Sequence, residues 1–277
     1  MIQPQQFKAF LGLKWNPFLP DAPLLSLSSD AHMQQFLWRV EQLVLDGGYA
    51  LITGEPGSGK SVALRLLHGH LSCISELCVR VLTRPQSHLR DFYRELACLF
   101  GIEIKASNRY AGFQKLREQW LHQIQGCLFR PVLLIDEAQE VPEEVLSEIR
   151  ILASSELDAR CILAVVFAGD KRFLSKLQSP DLLPLESRIR LRMHMDGRSP
   201  EQLSQMLTKA LTEAGNPELM TAGVAKALVD QSLGNPRAMM IAANELMSQA
   251  IYREKQVIDE DLYFEVFRGM QKRKKIS

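Results

Sequence analysis

Residues 54–61 read Gly-Glu-Pro-Gly-Ser-Gly-Lys-Ser, a full match to the pattern GxxxxGK[ST]. The flanks agree with it. Upstream, Gly47-Gly48 precedes the apolar run Tyr49-Ala50-Leu51-Ile52-Thr53, the form of a buried strand, and downstream Val62 to His70 carries Val, Ala and Leu at helical spacing. A strand, a glycine-rich loop and a helix start, in that order, is the setting in which this pattern cradles phosphate. Glycines let successive backbone N–H groups curl around phosphate oxygens, and the helix N-terminus adds the positive end of its dipole. The stretch Gly54, Glu55, Pro56, Gly57, Ser58, Gly59, Lys60, Ser61 and Val62 is therefore expected to wrap the phosphates of ATP. Lys60 would reach the β- and γ-phosphates, and Ser61 would offer its hydroxyl to Mg²⁺.

A second segment completes such a site. Val132-Leu-Leu-Ile-Asp136-Glu137 is four apolar residues ending in two acids. A buried strand can hold one carboxylate at its carboxyl edge beside Mg²⁺, where ligands collect in open α/β sheets. Asp136 would hold the metal's water shell and Glu137 would polarise the water that attacks the γ-phosphate, because phosphoryl transfer depends on positioning and charge neutralisation.

Composition bounds the rest. At 277 residues with 46% apolar content, the chain can form a core plus a small appendage. The 33 Lys and Arg against 32 acids argue against coating by polyanions, so nucleic-acid contact would need a local patch. The five cysteines (73, 78, 98, 127 and 161) contain no CxxC pair and read as buried thiols of a reducing compartment. The six histidines form no metal set. No apolar run reaches bilayer length and the N-terminus lacks a signal-peptide pattern, so the expectation is cytoplasmic, with no membrane partner.

Along the chain, residues 1–29 read as a proline-spaced apolar loop packed on the core, with Phe10, Leu13, Trp15 and Phe18 laid on its surface. Asp30 caps a helix to about Leu45. Cys78–Thr83 alternates as a strand, Ser87 caps a helix to Phe100, and 108–129 reads as one long amphipathic helix. Pro142 opens a helix to about Ser154, and 161–168 is a continuous apolar run of the kind found in central parallel strands. Strands alternating with helices give a parallel α/β sheet over 30–197. From 198 to 270 only helix starts follow, at Ser199-Pro200, Thr221, Pro236 and Asp259, and 271–277 is a basic tail. A nucleotide-binding core followed by a helical lid resembles the architecture of the AAA+ ATPases, a P-loop NTPase fold.

That resemblance assigns further residues. Asp170, after strand 161–168, stands where the class carries a polar γ-phosphate sensor, and it equally suits an N-cap for 171–177. Arg188 lies where the class places the arginine finger for a neighbouring subunit's ATP. Arg190 and Arg192 alternate with it along an edge strand, so a solvated basic face is the competing reading. Arg237, in Gly234-Asn-Pro-Arg237, resembles the lid arginine that senses nucleotide, with an ordinary exposed first-turn arginine as the competing reading; an arginine finger at Arg188 would make the chain an ATP-dependent homo-oligomer, ring or filament.

Within the class, several stretches resemble the ExeA-like branch: Phe10-Leu-Gly-Leu-Lys-Trp-Asn-Pro17-Phe18, Leu134-Ile-Asp-Glu-Ala-Gln139 followed by Glu144-Val-Leu-Ser-Glu-Ile-Arg150, and Gly234-Asn-Pro-Arg237. Asp170 departs from the branch's usual Gln. Longer members couple ATP hydrolysis to type II secretion, with a membrane span and a peptidoglycan-binding part. Short members resemble the transposon helper ATPases of the MuB, IstB and TnsC kind. The expectation placed first is the second occupation: an ATP-hydrolysing regulator that binds duplex DNA and recruits a transposase. The alternatives are an ATPase energising secretion or envelope assembly through protein partners, and an ATP-switch adaptor with little hydrolysis. The DNA reading draws on Arg84, His88, Lys105 and Arg109, with Arg80 and Arg90 beside them, as non-specific phosphate contacts; scattered surface charges would look the same.

Overall fold

The computed structural model describes residues 7–27, 30–103, 109–127, 129–156 and 159–273. The chain divides into two compact units. One comprises 29–56 and 60–196, and the other comprises the described part of 1–28 together with 57–59 and 197–277.

In chain order, α1 (Phe7–Leu11) precedes α2 (Ala31–Asp46) and β1 (Tyr49–Gly54). Then come α3 (Lys60–Leu71), β2 (Leu77–Leu82), α4 (Leu89–Leu99), α5 (Arg109–His122) with a π-helical turn at Gln123–Cys127, and β3 (Arg130–Ile135). A 3-10 turn at Ala138–Glu140 leads to α6 (Glu143–Ala153), the small pair β4 (Ser154–Ser155) and β5 (Arg160–Cys161), and β6 (Ala164–Gly169). The first unit closes with α7 (Lys171–Leu177), α8 (Leu183–Glu186) and β7 (Ile189–Met195). The helices α9 (Pro200–Ala214), α10 (Ala222–Ser232), α11 (Pro236–Tyr252) and α12 (Glu260–Arg273) make the second unit.

The five main strands pair in the order β2-β3-β6-β1-β7, all parallel. Every residue of β1 and β6 is buried, because helices cover both faces of the sheet. Alternation along the strands sorts the two faces. Leu51, Leu133, Ile135, Val165 and Phe167 join the apolar side of α4, α5, α6 and α7, whereas Ala50, Ile52, Val132, Leu134 and Val166 join α2 and α3. On the edge strand β7, buried Ile189, Leu191, Met193 and Met195 alternate with exposed Arg190, Arg192 and His194.

Register sets the place of the site. Thr53 pairs with Gly169 and Ile135 with Phe167. The chain therefore leaves β1, β3 and β6 at one edge of the sheet, delivering Gly54, Asp136 and Asp170 together, where parallel sheets hold ligands.

Helix starts follow their caps. Asp30 accepts the Met33 N–H at 2.8 Å, and Ser199 and Gln202 form a reciprocal capping box. Thr221 accepts from Val224 N at 3.2 Å, and Asn235 accepts the N–H groups of Arg237 and Ala238. Gly47 ends α2 at φ +82, where a Cβ would stand 2.4 Å from the Cys161 carbonyl oxygen, so only glycine fits.

Several boundaries differ from the sequence reading. The cap of α4 is His88, with no side-chain bond, instead of Ser87. Helix α5 stops at His122 and widens into the π turn. The apolar run from 161 is interrupted: Cys161 pairs with Ser154 in a hairpin and β6 begins only at Ala164. Cys73 and Cys98 are exposed, not buried. Helix α12 takes in the first residues of the expected tail, ending at Arg273; 274–277 lie outside the described residues. The N-terminal segment was expected on the α/β core, but it packs into the helical unit. Leu11, Leu13 and Phe18 lie in one apolar cluster with Leu203, Leu211 and Leu246. The reason is partly polar: Lys14 N–H donates to the Ala214 carbonyl (2.7 Å), an orphan acceptor at the end of α9, and the Asn216 amide donates to Leu11 O (2.7 Å). Among the described residues no helix is long and apolar enough to cross a membrane.

One buried carboxylate ties three helices of the sheet unit. Glu148 of α6 accepts the Tyr93 hydroxyl at 2.5 Å and both Nε (3.1 Å) and Nη2 (2.5 Å) of Arg109. Burial, then the Glu148 carboxylate beside it, push the Tyr93 hydroxyl far above its ordinary range. Glu148→Ala is expected to cost about 2 kcal/mol, because it strands the Tyr93 hydroxyl as well as losing charge-assisted bonds. Urea unfolding of the two proteins, compared by midpoint at constant slope, measures it.

Candidate active site

The loop after β1 is built as the sequence requires. Gly57 (φ +86) and Gly59 (φ +105) hold left-handed backbone that side chains other than hydrogen resist. Lys60 is 7% exposed, and its ammonium donates to the carbonyls of Gly54 (2.9 Å) and Glu55 (3.1 Å), curling back over the loop. Ser61 and Val62 are half-buried in the first turn of α3, and Glu55 pairs with Lys171.

Whether ATP and Mg²⁺ fit these residues is testable on two features. The Ser58 hydroxyl is buried without a partner in the loop, an acceptor-seeking group where phosphate oxygens would lie. The first turn of α3 carries no acid, so its dipole is left for an anion. The residues fit: Ser61 and Asp136 would hold the metal, which when bound neutralises the phosphate charge.

At the end of β3, Asp136 is half-buried and accepts the Glu137 N–H at 2.9 Å. Glu137 is exposed and adopts φ +50, a left-handed conformation unusual for glutamate. Gln139, to which the sequence reading gave no role, is 6% exposed and bonds both to the Glu137 carboxylate and to the Asp170 N–H (3.2 Å). Its sequence signal was its place at the end of Leu134-Ile-Asp-Glu-Ala-Gln139.

Asp170 takes the geometry of an N-cap: it accepts the Arg172 N–H (2.8 Å) and its guanidinium (2.9 Å). Burial works against its charged form, but the bonds and charge of Arg172 outweigh this and hold the carboxyl below the usual range. Arg172 also reaches Glu140 at 3.2 Å.

Two arginines stand apart. Arg188 lies between α8 and β7, half-buried, its backbone N–H on Leu185 O and its guanidinium donating to Pro184 O. Of the basic neighbours, Arg192 is engaged by Glu186 at 2.7 Å. Arg237 is exposed in the first turn of α11, in the unit that also contains Gly57–Gly59; within it the Arg237 N–H is 3.4 Å from the Gly57 carbonyl oxygen.

The residues of the DNA reading sit among acids. Arg84 is exposed, with its backbone N–H on Glu95 (3.1 Å); His88 is 3.8 Å from Glu144; Arg109 is held by Glu148. Arg80 donates to the carbonyls of Leu99 and Val79. Lys105 lies outside the described residues.

Comparison with known proteins agrees with this geometry. Residues 45–177 match the family model of the AAA domain. The chain is similar to general secretion pathway protein A of Aeromonas hydrophila, 27% identical over 250 residues, which are 89% of this chain. It spans about half of that relative, 45% of its length. Among solved structures, the ADP form of the Aeropyrum pernix ORC2 protein superposes with a TM-score of 0.72 at 14% identity, covering 90% of this chain and 70% of that one. Cdc6p from Pyrobaculum aerophilum superposes with a TM-score of 0.70 at 16% identity, covering 87% and 67%. The fold is that of an α/β P-loop NTPase.

Proposed function

We propose that this AAA domain and its helical companion form an ATP-hydrolysing machine of the ExeA type, acting on a protein partner in secretion or envelope assembly. The observation that carries the ATPase reading is the strand register, which delivers Gly54, Asp136 and Asp170 to one edge of the sheet. There Lys60 and the loop N–H groups bind the β- and γ-phosphates and keep the nucleotide oriented. Glu137 polarises the attacking water. Subunits assemble with ATP.

The partner class draws support from the secretion-pathway relative, matched over 89% of this chain. The transposition reading stood first in the sequence. It loses ground because Arg109 is held by Glu148 and His88 lies 3.8 Å from Glu144, which weakens the local positive field that non-specific phosphate binding needs. The solved structures, under 25% identical, speak for the fold alone.

Phosphate release by the purified chain, with and without random-sequence duplex DNA at low and physiological salt, separates these readings. Turnover that DNA leaves unchanged is the expected result. Strong stimulation by DNA that fades steeply with salt would restore the transposition reading. Tight ATP binding with negligible turnover would favour the switch adaptor.

A further inference from the structure

Gln139 has two different partners for the two ends of its amide. Its Oε1 accepts the Asp170 N–H at 3.2 Å and its Nε2 donates to Glu137 Oε2. A backbone N–H can only donate, so Asp170 decides which end is the carbonyl and leaves the NH₂ for Glu137. The backbone is held too: the Lys176 ammonium donates to the carbonyls of Gln139 (2.6 Å) and Val141 (2.8 Å). Little room is left for rearrangement, since a Cβ on Gly169 would lie 3.2 Å from Gln139 Oε1 and 2.8 Å from Phe173 Cβ.

We infer that Gln139 is a positioning residue for Glu137: it binds Oε2 and so presents Oε1 to the attacking water. An exposed glutamate otherwise samples many rotamers, and an attacking water tolerates little misplacement. The amide also links Glu137 to the start of α7, so the catalytic carboxylate and the segment after β6 share one anchor. This inference rests on the ATPase reading.

Two variants isolate the role. Gln139→Glu keeps the size and still offers an oxygen to Asp170 N–H, but sets a second carboxylate against Glu137. Gln139→Met keeps the shape without either polar contact. Phosphate release gives kcat and KM, a fluorescent ATP analogue gives affinity, and thermal melting reports folding. Gln139→Glu is expected to lose roughly 100-fold in kcat with KM and affinity little changed. In a Glu137→Gln background it should cost nothing further, because the carboxylate it disturbs is gone.

Wild-type kcat in Gln139→Glu overturns the inference, and so does an equal loss in both backgrounds. Should Gln139→Glu melt early, Gln139→Met is judged by the same two criteria. A native chain that hydrolyses while the Gln139 variants are indifferent leaves the ATPase reading standing and removes only this inference. A native chain that never hydrolyses ATP removes both.

Discussion

Glu137→Gln is expected to bind ATP as the native chain does and to release phosphate at least about 100-fold more slowly. The side chain is exposed at the carboxyl edge of β3 and is held by Gln139. Replacing one carboxylate oxygen by an NH₂ therefore changes what can polarise water while leaving the loop and Asp136 in place. Lys60→Ala should behave in the opposite way. Its ammonium is buried against the carbonyls of Gly54 and Glu55, close to where the β- and γ-phosphates would lie. Removing the charge-assisted bonds it would make there should weaken ATP binding by at least about 100-fold. Titration with a fluorescent ATP analogue, paired with phosphate release, reads both variants. Normal turnover in Glu137→Gln would take the residue out of the chemistry.

The contrast between these two residues and Gln139 shows what a sequence makes legible. The phosphate loop and the acidic pair are read directly because their chemistry needs fixed residue types at fixed spacing. Caps were legible for the same local reason: Asp30, Ser199 and Thr221 each satisfy N–H groups three residues on. The Gln139 contacts were not, since they need a left-handed Glu137 and a backbone N–H from Asp170, 31 residues away in sequence. Glu148 was hidden likewise: its partners come from α4 and α5, and nothing in an amphipathic pattern announces a buried carboxylate. The strand start at Ala164 was overread because apolar continuity does not separate a hairpin end from a buried strand. The docking of the N-terminal segment turned on a helix-end carbonyl, Ala214, invisible until the fold is known.

Arg188→Ala is expected to bind nucleotide normally and to hydrolyse it about 1,000-fold more slowly, a defect that a second, differently disabled subunit should relieve. The sheet itself argues that Arg188 cannot serve its own loop. Strand β7 runs parallel to β1, with Ile189 opposite Tyr49 and Met195 opposite Gly54. Arg188 thus enters at the far end of the strand, and the seven residues from it to Met195 span roughly 20 Å, well beyond the reach of one side chain. Its turn is anchored by the bond from its N–H to Leu185 O (3.0 Å), and its guanidinium donates to the Pro184 carbonyl. Arg192, further along the strand, is matched by Glu186. A planar cation held at that edge suits the developing charge on a phosphate supplied by another subunit. Mixing Arg188→Ala with Lys60→Ala tests this directly. Each protein alone should be nearly inactive, one lacking the arginine and the other the nucleotide. In a mixed assembly the Lys60→Ala subunit can present its intact Arg188 to ATP bound by the Arg188→Ala subunit, and phosphate release should partly return. Activity should rise with the fraction of mixed interfaces and vanish when the subunits are kept apart by dilution. A mixture shown by pull-down to co-assemble, yet still inactive, would return Arg188 to the solvated basic face of β7.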